Sequence, residues 1–121
     1  MYIDNVVVIY TNLSADEGVS NLPALLRGEG PPSASADIIG TGNYSSPAKA
    51  VVTGGGYEEI EISDMRRACN GSKVPWLRND KSKPAPPPGP AYAAAVVERV
   101  KALLKDLAAE EKMQVDGVYW Y

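Results

Sequence analysis

Apolar positions along the chain fall into two patterns, short unbroken β-branched runs and one long stretch at helical spacing. Val6-Val7-Val8-Ile9 is a continuous apolar run within residues 3–10. It predicts a strand buried on both faces, as in a parallel sheet covered by helices. A second run, Ala50-Val51-Val52-Thr53, stops in Gly54-Gly55-Gly56-Tyr57 and predicts a buried central strand over 49–53 with a turn at its end. The third, Lys73-Val74-Pro75-Trp76-Leu77, holds a proline without an N–H. That places the strand at a sheet edge, or Pro75 where no ladder bond is needed.

Helical spacing is clearest after Pro90. Tyr92, Val96, Val100, Leu103 and Leu107 recur on one side of residues 91–112, with Glu98, Arg99, Lys101, Lys105 and Asp106 on the other. A short helix is expected over 21–27, capped by Ser20 or Asn21, with Pro23 near its first turn and Gly28 as its stop. The polar residues ahead of it, Asn12, Ser14, Asp16 and Gly18, read as a loop. Ser63 caps a helix that runs to Cys69 and stops at Asn70-Gly71, while residues 58–61 fit helix or loop.

Residues 28–47 are rich in Gly, Pro, Ser and Ala and form a loop of a length usually kept for function. Residues 83–90 form a stiff polyproline connector. Val118-Tyr119-Trp120-Tyr121 is too apolar to remain in water and is expected to dock, on this chain or on a partner. Strands alternating with helices predict a single α/β domain with a small open parallel sheet, flanking helices and right-handed crossovers. Exposed sheet edges and an apolar tail able to cover them predict a homodimer.

Composition narrows the chemistry. A chain of 121 residues with 45% hydrophobic content can hold one core, and its net charge of −3 gives no reason to expect a nucleic-acid or acidic-membrane partner. No apolar run reaches the ~20 residues that span a bilayer, and Met1-Tyr2-Ile3-Asp4 does not read as a signal peptide, so a cytoplasmic location is expected. Cys69 is the single cysteine and there is no histidine. An internal disulfide, a Ser-His-Asp or Cys-His nucleophile and a Cys/His zinc site are excluded, and no carboxylate cage for a metal is legible.

Ligands of open α/β sheets bind beyond the carboxyl ends of the strands. Tyr10, Thr53, Gly54, Gly55, Gly56, Tyr57 and Arg78 are expected to converge there. The glycines would expose backbone N–H groups, Arg78 would hold an anion, and Tyr10, Tyr57 or Trp76 would stack on an aromatic ligand. The plainer use of Gly54 to Gly56 is a tight turn with positive φ, and of Trp76 a place in the core.

Dinucleotide binding asks for Gly-x-Gly-x-x-Gly, and Glu59 stands where the third glycine belongs. Cys69, near a helix C-terminus, reads as packing, because reactive thiolates favour the opposite end. Glu58, Glu59, Glu61 and Asp64 read as an acidic helix start. Lys81-x-x-Pro84-x-x-Pro87 matches the peptide pattern read by SH3 domains, although here it joins two core elements. No cofactor is expected.

Several of these segments, Val51 to Tyr57, Met65-Arg66-Arg67-Ala68-Cys69, Val74-Pro75-Trp76-Leu77-Arg78, Lys83-Pro84-Ala85-Pro86-Pro87 and the closing Tyr119-Trp120-Tyr121, resemble a group of small, mostly uncharacterised fungal proteins of Rossmann-like character. The resemblance covers roughly the last two thirds of the chain and implies a truncated Rossmann-like or flavodoxin-like sheet. Members of that group carry a further strand-helix unit ahead of the strand matching residues 3–10, and the expectation is that this sequence lacks it. The group brings no established reaction. Three functions follow as expectations. The first is small-molecule binding, as a cofactor-independent enzyme or accessory protein of fungal specialised metabolism. The others are a non-catalytic homodimeric interaction protein and a degenerate NAD(P)-dependent oxidoreductase.

Overall fold

The computed structural model describes residues 2–3, 6–7, 14–32 and 40–121. The chain forms two compact units, residues 1–49 with 57–72 and residues 50–56 with 73–121. The second unit carries a three-stranded parallel sheet of β3 (Val51–Thr53), β4 (Pro75–Arg78) and β5 (Gly117–Trp120), in the order β3-β4-β5. The fold class is therefore α/β with a small open parallel sheet.

Among the described residues β4 is the central strand and β3 an edge, the reverse of what the apolar runs suggest. Pro75 is tolerated because it is the first residue of β4, ahead of most of the ladder. The tail does dock, as β5, hydrogen-bonded to β4 of its own chain.

Helix α3 (Pro90–Ala109) joins β4 to β5. Val96, Val100, Leu103, Leu104 and Leu107 recur at helical spacing and pack with Leu77, Tyr119 and Tyr121. Leu77 and Leu107 are fully buried, each contributing about 2 kcal/mol by leaving water. Register places Val52, Leu77 and Tyr119 in one row across the three strands; Ala50 packs against the cluster, yet Val52 on the edge strand is 46% exposed. The chain leaves α3 through a Schellman turn: Lys112 N–H donates to the Leu107 carbonyl and Glu111 N–H to that of Ala108. Glu111 takes the left-handed position at φ 59°.

In the first unit, β1 (Tyr2–Ile3) and β2 (Val6–Val7) pair antiparallel with each other. This corrects the single long strand expected over 3–10: two residues of its apolar run form β2 in a separate antiparallel pair, and residues 8–10 lie outside the described residues. Helix α1 (Ala15–Leu26) begins well before the expected residue 21. The signal was Ser14, whose hydroxyl accepts from Glu17 N–H at 3.2 Å, with Asp16 in the first turn. Pro23 therefore lies inside the helix, where it removes one backbone bond. Gly28, at φ 81°, ends α1 as expected, with Glu29 N–H on the Ala24 carbonyl and Gly28 N–H on that of Leu25.

Helix α2 (Glu59–Ala68) likewise starts earlier than Ser63. Glu58 N–H donates to the Glu61 carboxylate at 2.9 Å, one half of a capping box. The α1–α2 contact is close at Gly18. A Cβ there would meet Met65 Sδ at 2.4 Å. Among the described residues no helix is long and apolar enough to cross a membrane.

Candidate functional site

The strand register of the second unit brings Thr53, Arg78 and Trp120 into one row at the carboxyl ends of β3, β4 and β5. Arg78 lies over the Trp120 ring, 4.5 Å from its centroid, a cation–π contact that holds the guanidinium on an indole that is itself 49% exposed. Thr53 is buried, and its hydroxyl donates to the Leu77 carbonyl at 3.2 Å.

Tyr121 ties these ends together. Its N–H donates to the Arg78 carbonyl, its carbonyl accepts from Asp80 N–H, and its hydroxyl donates to the Thr53 carbonyl at 2.8 Å. Burial raises the Tyr121 pKa, partly offset by a hydrogen bond with Asn79. The phenol is a neutral donor at physiological pH. Beyond β4, the Asp80 carboxylate accepts from both the N–H and the hydroxyl of Ser82, which lowers its pKa. It is an ionised turn-former.

The glycine turn does not take the conformation expected of it. None of Gly54, Gly55 and Gly56 has positive φ, so the backbone alone does not call for glycine at these positions. Gly55 is accounted for by packing. A Cβ there would lie 3.3 Å from Asn79 Oδ1 and 3.4 Å from Lys81 Cε. Gly54 and Gly56 are exposed, and a Cβ on either would meet nothing within 4 Å. The fold leaves open, bare backbone beside Arg78 and Lys81.

The structure thus gathers Thr53, Gly54, Gly55, Gly56 and Arg78 in one unit. Asn79, expected at these strand ends with Arg78 and Asp80, lies beside Gly55, and the structure adds Lys81, Trp120 and Tyr121, of which only the position of Lys81 shortly after Arg78 could have been read from the sequence. Trp76 belongs to the same strand but is 1% exposed, so stacking on it would require its covering residues to move. Tyr57 follows the turn directly and belongs to the other unit. There its pKa is raised by burial and by the nearby Glu61 and Glu17 carboxylates. Tyr10 lies outside the described residues.

A dinucleotide site would need the N-terminus of α2 for its pyrophosphate. Glu61 already occupies Glu58 N–H there, and Glu59 adds a negative charge to the first turn. Among the described residues no group of three or more acidic or cysteine side chains is placed to hold a metal ion. An open groove of about 660 Å³ lies between α1 and α2, lined by Asp16, Val19, Ser20, Asp64, Arg67 and Ala68. Its exposed Arg67 is paired with Asp64 at 3.4 Å. Cys69 is buried, and burial pushes its thiol up to about 11 against a small opposing effect of Arg66, so it is packing and not a nucleophile.

Together these elements define a small α/β protein whose strand ends carry an open glycine turn beside two cationic side chains. The chain is 33% identical over 118 residues to kojic acid related protein 6 of Aspergillus oryzae, across 93% of this chain and 70% of that protein. It belongs to that protein's family. No family model matches the chain, and no solved structure matches it.

Proposed function

We propose that the chain is a cytoplasmic accessory protein of fungal specialised metabolism that binds a small anionic organic molecule at the carboxyl ends of β3 and β4. Gly54, Gly55 and Gly56 form the floor, Arg78 holds the anion on its Trp120 platform, and the exposed face of Trp120 or a displaced Trp76 supplies a stacking wall. The observation that carries this reading is the open space at Gly54 and Gly56, which neither packing nor positive φ explains. Binding is favoured over proton transfer because the Asp80 pKa is lowered and the Tyr121 pKa raised, each moved further from the neutral pH at which an acid–base catalyst works best. The name of the relative from Aspergillus oryzae ties that protein to kojic acid, a small, planar, oxygen-rich weak acid, and molecules of that chemistry are the ligand class proposed here.

The experiment is a thermal-shift screen with kojic acid and related small acids, repeated on Arg78→Ala. A rise in Tm with a ligand that Arg78→Ala abolishes supports the site. Equal shifts in both proteins, or none with any acid, contradict it.

A second reading, that the chain works as a homodimer, draws on β5. It is an edge strand among the described residues, and it exposes Val118 and Trp120. Sedimentation of the protein with Trp120→Ser tests it, since a dimer built on this edge would dissociate.

A further inference from the structure

We infer that the segment from Lys81 to Pro88 is a docking ligand for an SH3 domain, displayed on the surface of the sheet-bearing unit. Proline fixes its own φ near −65° and drives the residue before it into extended backbone, so Lys83, Ala85, Pro86 and Pro87 are all restricted by the prolines that follow them. These restrictions favour a left-handed polyproline conformation, with three residues per turn and no internal hydrogen bonds. Residues 84–87 carry no regular hydrogen-bonded element.

Pro84, Ala85, Pro87 and Pro88 are exposed, and Pro86 is the half-buried residue of 81–90. Pro86 thus rests against the protein while Pro84 and Pro87, about 9 Å apart at polyproline spacing, stay open to solvent. Arg99 on α3 donates from its guanidinium to the Pro84 carbonyl, holding the segment in place before any partner arrives. A ligand already fixed in its bound conformation loses less entropy on binding.

Lys81, a further three residues ahead of Pro84, is exposed on the turn that Asp80 and Ser82 form. A groove of aromatic residues receives the exposed proline ridge, and acidic residues beside it receive Lys81, which together are the recognition chemistry of an SH3 domain.

The test is binding of the full chain to an array of purified SH3 domains from filamentous fungi, followed by fluorescence anisotropy on each domain that captures it. The expected result is saturable binding to at least one domain, weakened tenfold or more by Pro84→Ala, by Pro87→Ala and by Lys81→Glu. Lys81→Glu lies on an exposed turn and keeps the test decisive if a proline variant fails to fold. Capture by no domain overturns the inference. So does binding that the variants leave unchanged, or binding by profilin or WW domains that is indifferent to Lys81→Glu.

Discussion

The Tyr121 hydroxyl donates to the Thr53 carbonyl at 2.8 Å, joining the residue after β5 to the end of β3 across β4. Because the Tyr121 backbone also bonds Arg78 and Asp80, one residue ties all three strand ends together. Tyr121→Phe keeps the ring in its cluster with Leu77 and Leu107 and removes the hydroxyl. The expected loss is about 1 kcal/mol in urea unfolding, with little change in slope.

The same phenol gives a pH signature. An unfolded tyrosine loses its proton near 10.0, whereas burial keeps Tyr121 protonated to higher pH. Above about pH 10 the unfolded chain therefore binds fewer protons than the folded one, and stability falls as pH rises. Cys69 acts in the same direction, between its ordinary 9.0 and about 11. Tyr121→Phe should show a shallower alkaline decline than the parent protein. An unchanged decline would assign the effect to other groups.

Buried thiol chemistry provides a separate check. With its pKa raised and its side chain 6% exposed, Cys69 should resist a disulfide reagent at pH 8 until denaturant is added. Rapid modification of the folded protein would contradict the burial described here.

Gly18 allows α1 and α2 to approach. Alanine would gain about 1 kcal/mol of helix propensity, but its Cβ would overlap Met65, which is 3% exposed and has little room to repack. Gly18→Ala should therefore destabilise the protein, by about 1 kcal/mol net, measured by thermal unfolding. Gly18→Ala combined with Met65→Ala should show that the two losses are not additive.

Two helices end in the same turn with different residues at its left-handed position. Gly28 suits φ 81°, whereas Glu111 is held at φ 59° at a steric cost. Glu111→Gly should stabilise the protein by about 0.5–1 kcal/mol, and Gly28→Ala should destabilise it by a similar amount. Paired denaturation curves with opposite displacements would confirm both.

Helix α3 and the strand at Val51 were legible because each carries a strong local signal, helical spacing on one side and a β-branched run on the other. The start of α1 was misread because Asp16 and Gly18 look like loop residues. Only the Ser14 cap and the close contact with Met65 show why they sit in a helix. The order of the strands was not legible, since hydrophobicity marks Val51 and Val52 as buried while pairing leaves Val52 half exposed at an edge. At the site, Arg78 and the glycines could be read from their place after the strands. Tyr121 could not, because its hydrogen bond to Thr53 spans the chain and depends on β5 lying beside β4.

The account rests most heavily on Gly54 and Gly56, which are unstrained and face open space. The decisive measurement is calorimetric titration of kojic acid, and of any acid that raises Tm, into the protein carrying Gly54→Ala and Gly56→Ala together. The fold should accept both methyl groups, with Tm unchanged or slightly raised, while ligand affinity drops tenfold or more because the backbone floor is no longer bare. Full affinity in that variant would show that the turn is not a binding surface and would contradict the proposed function.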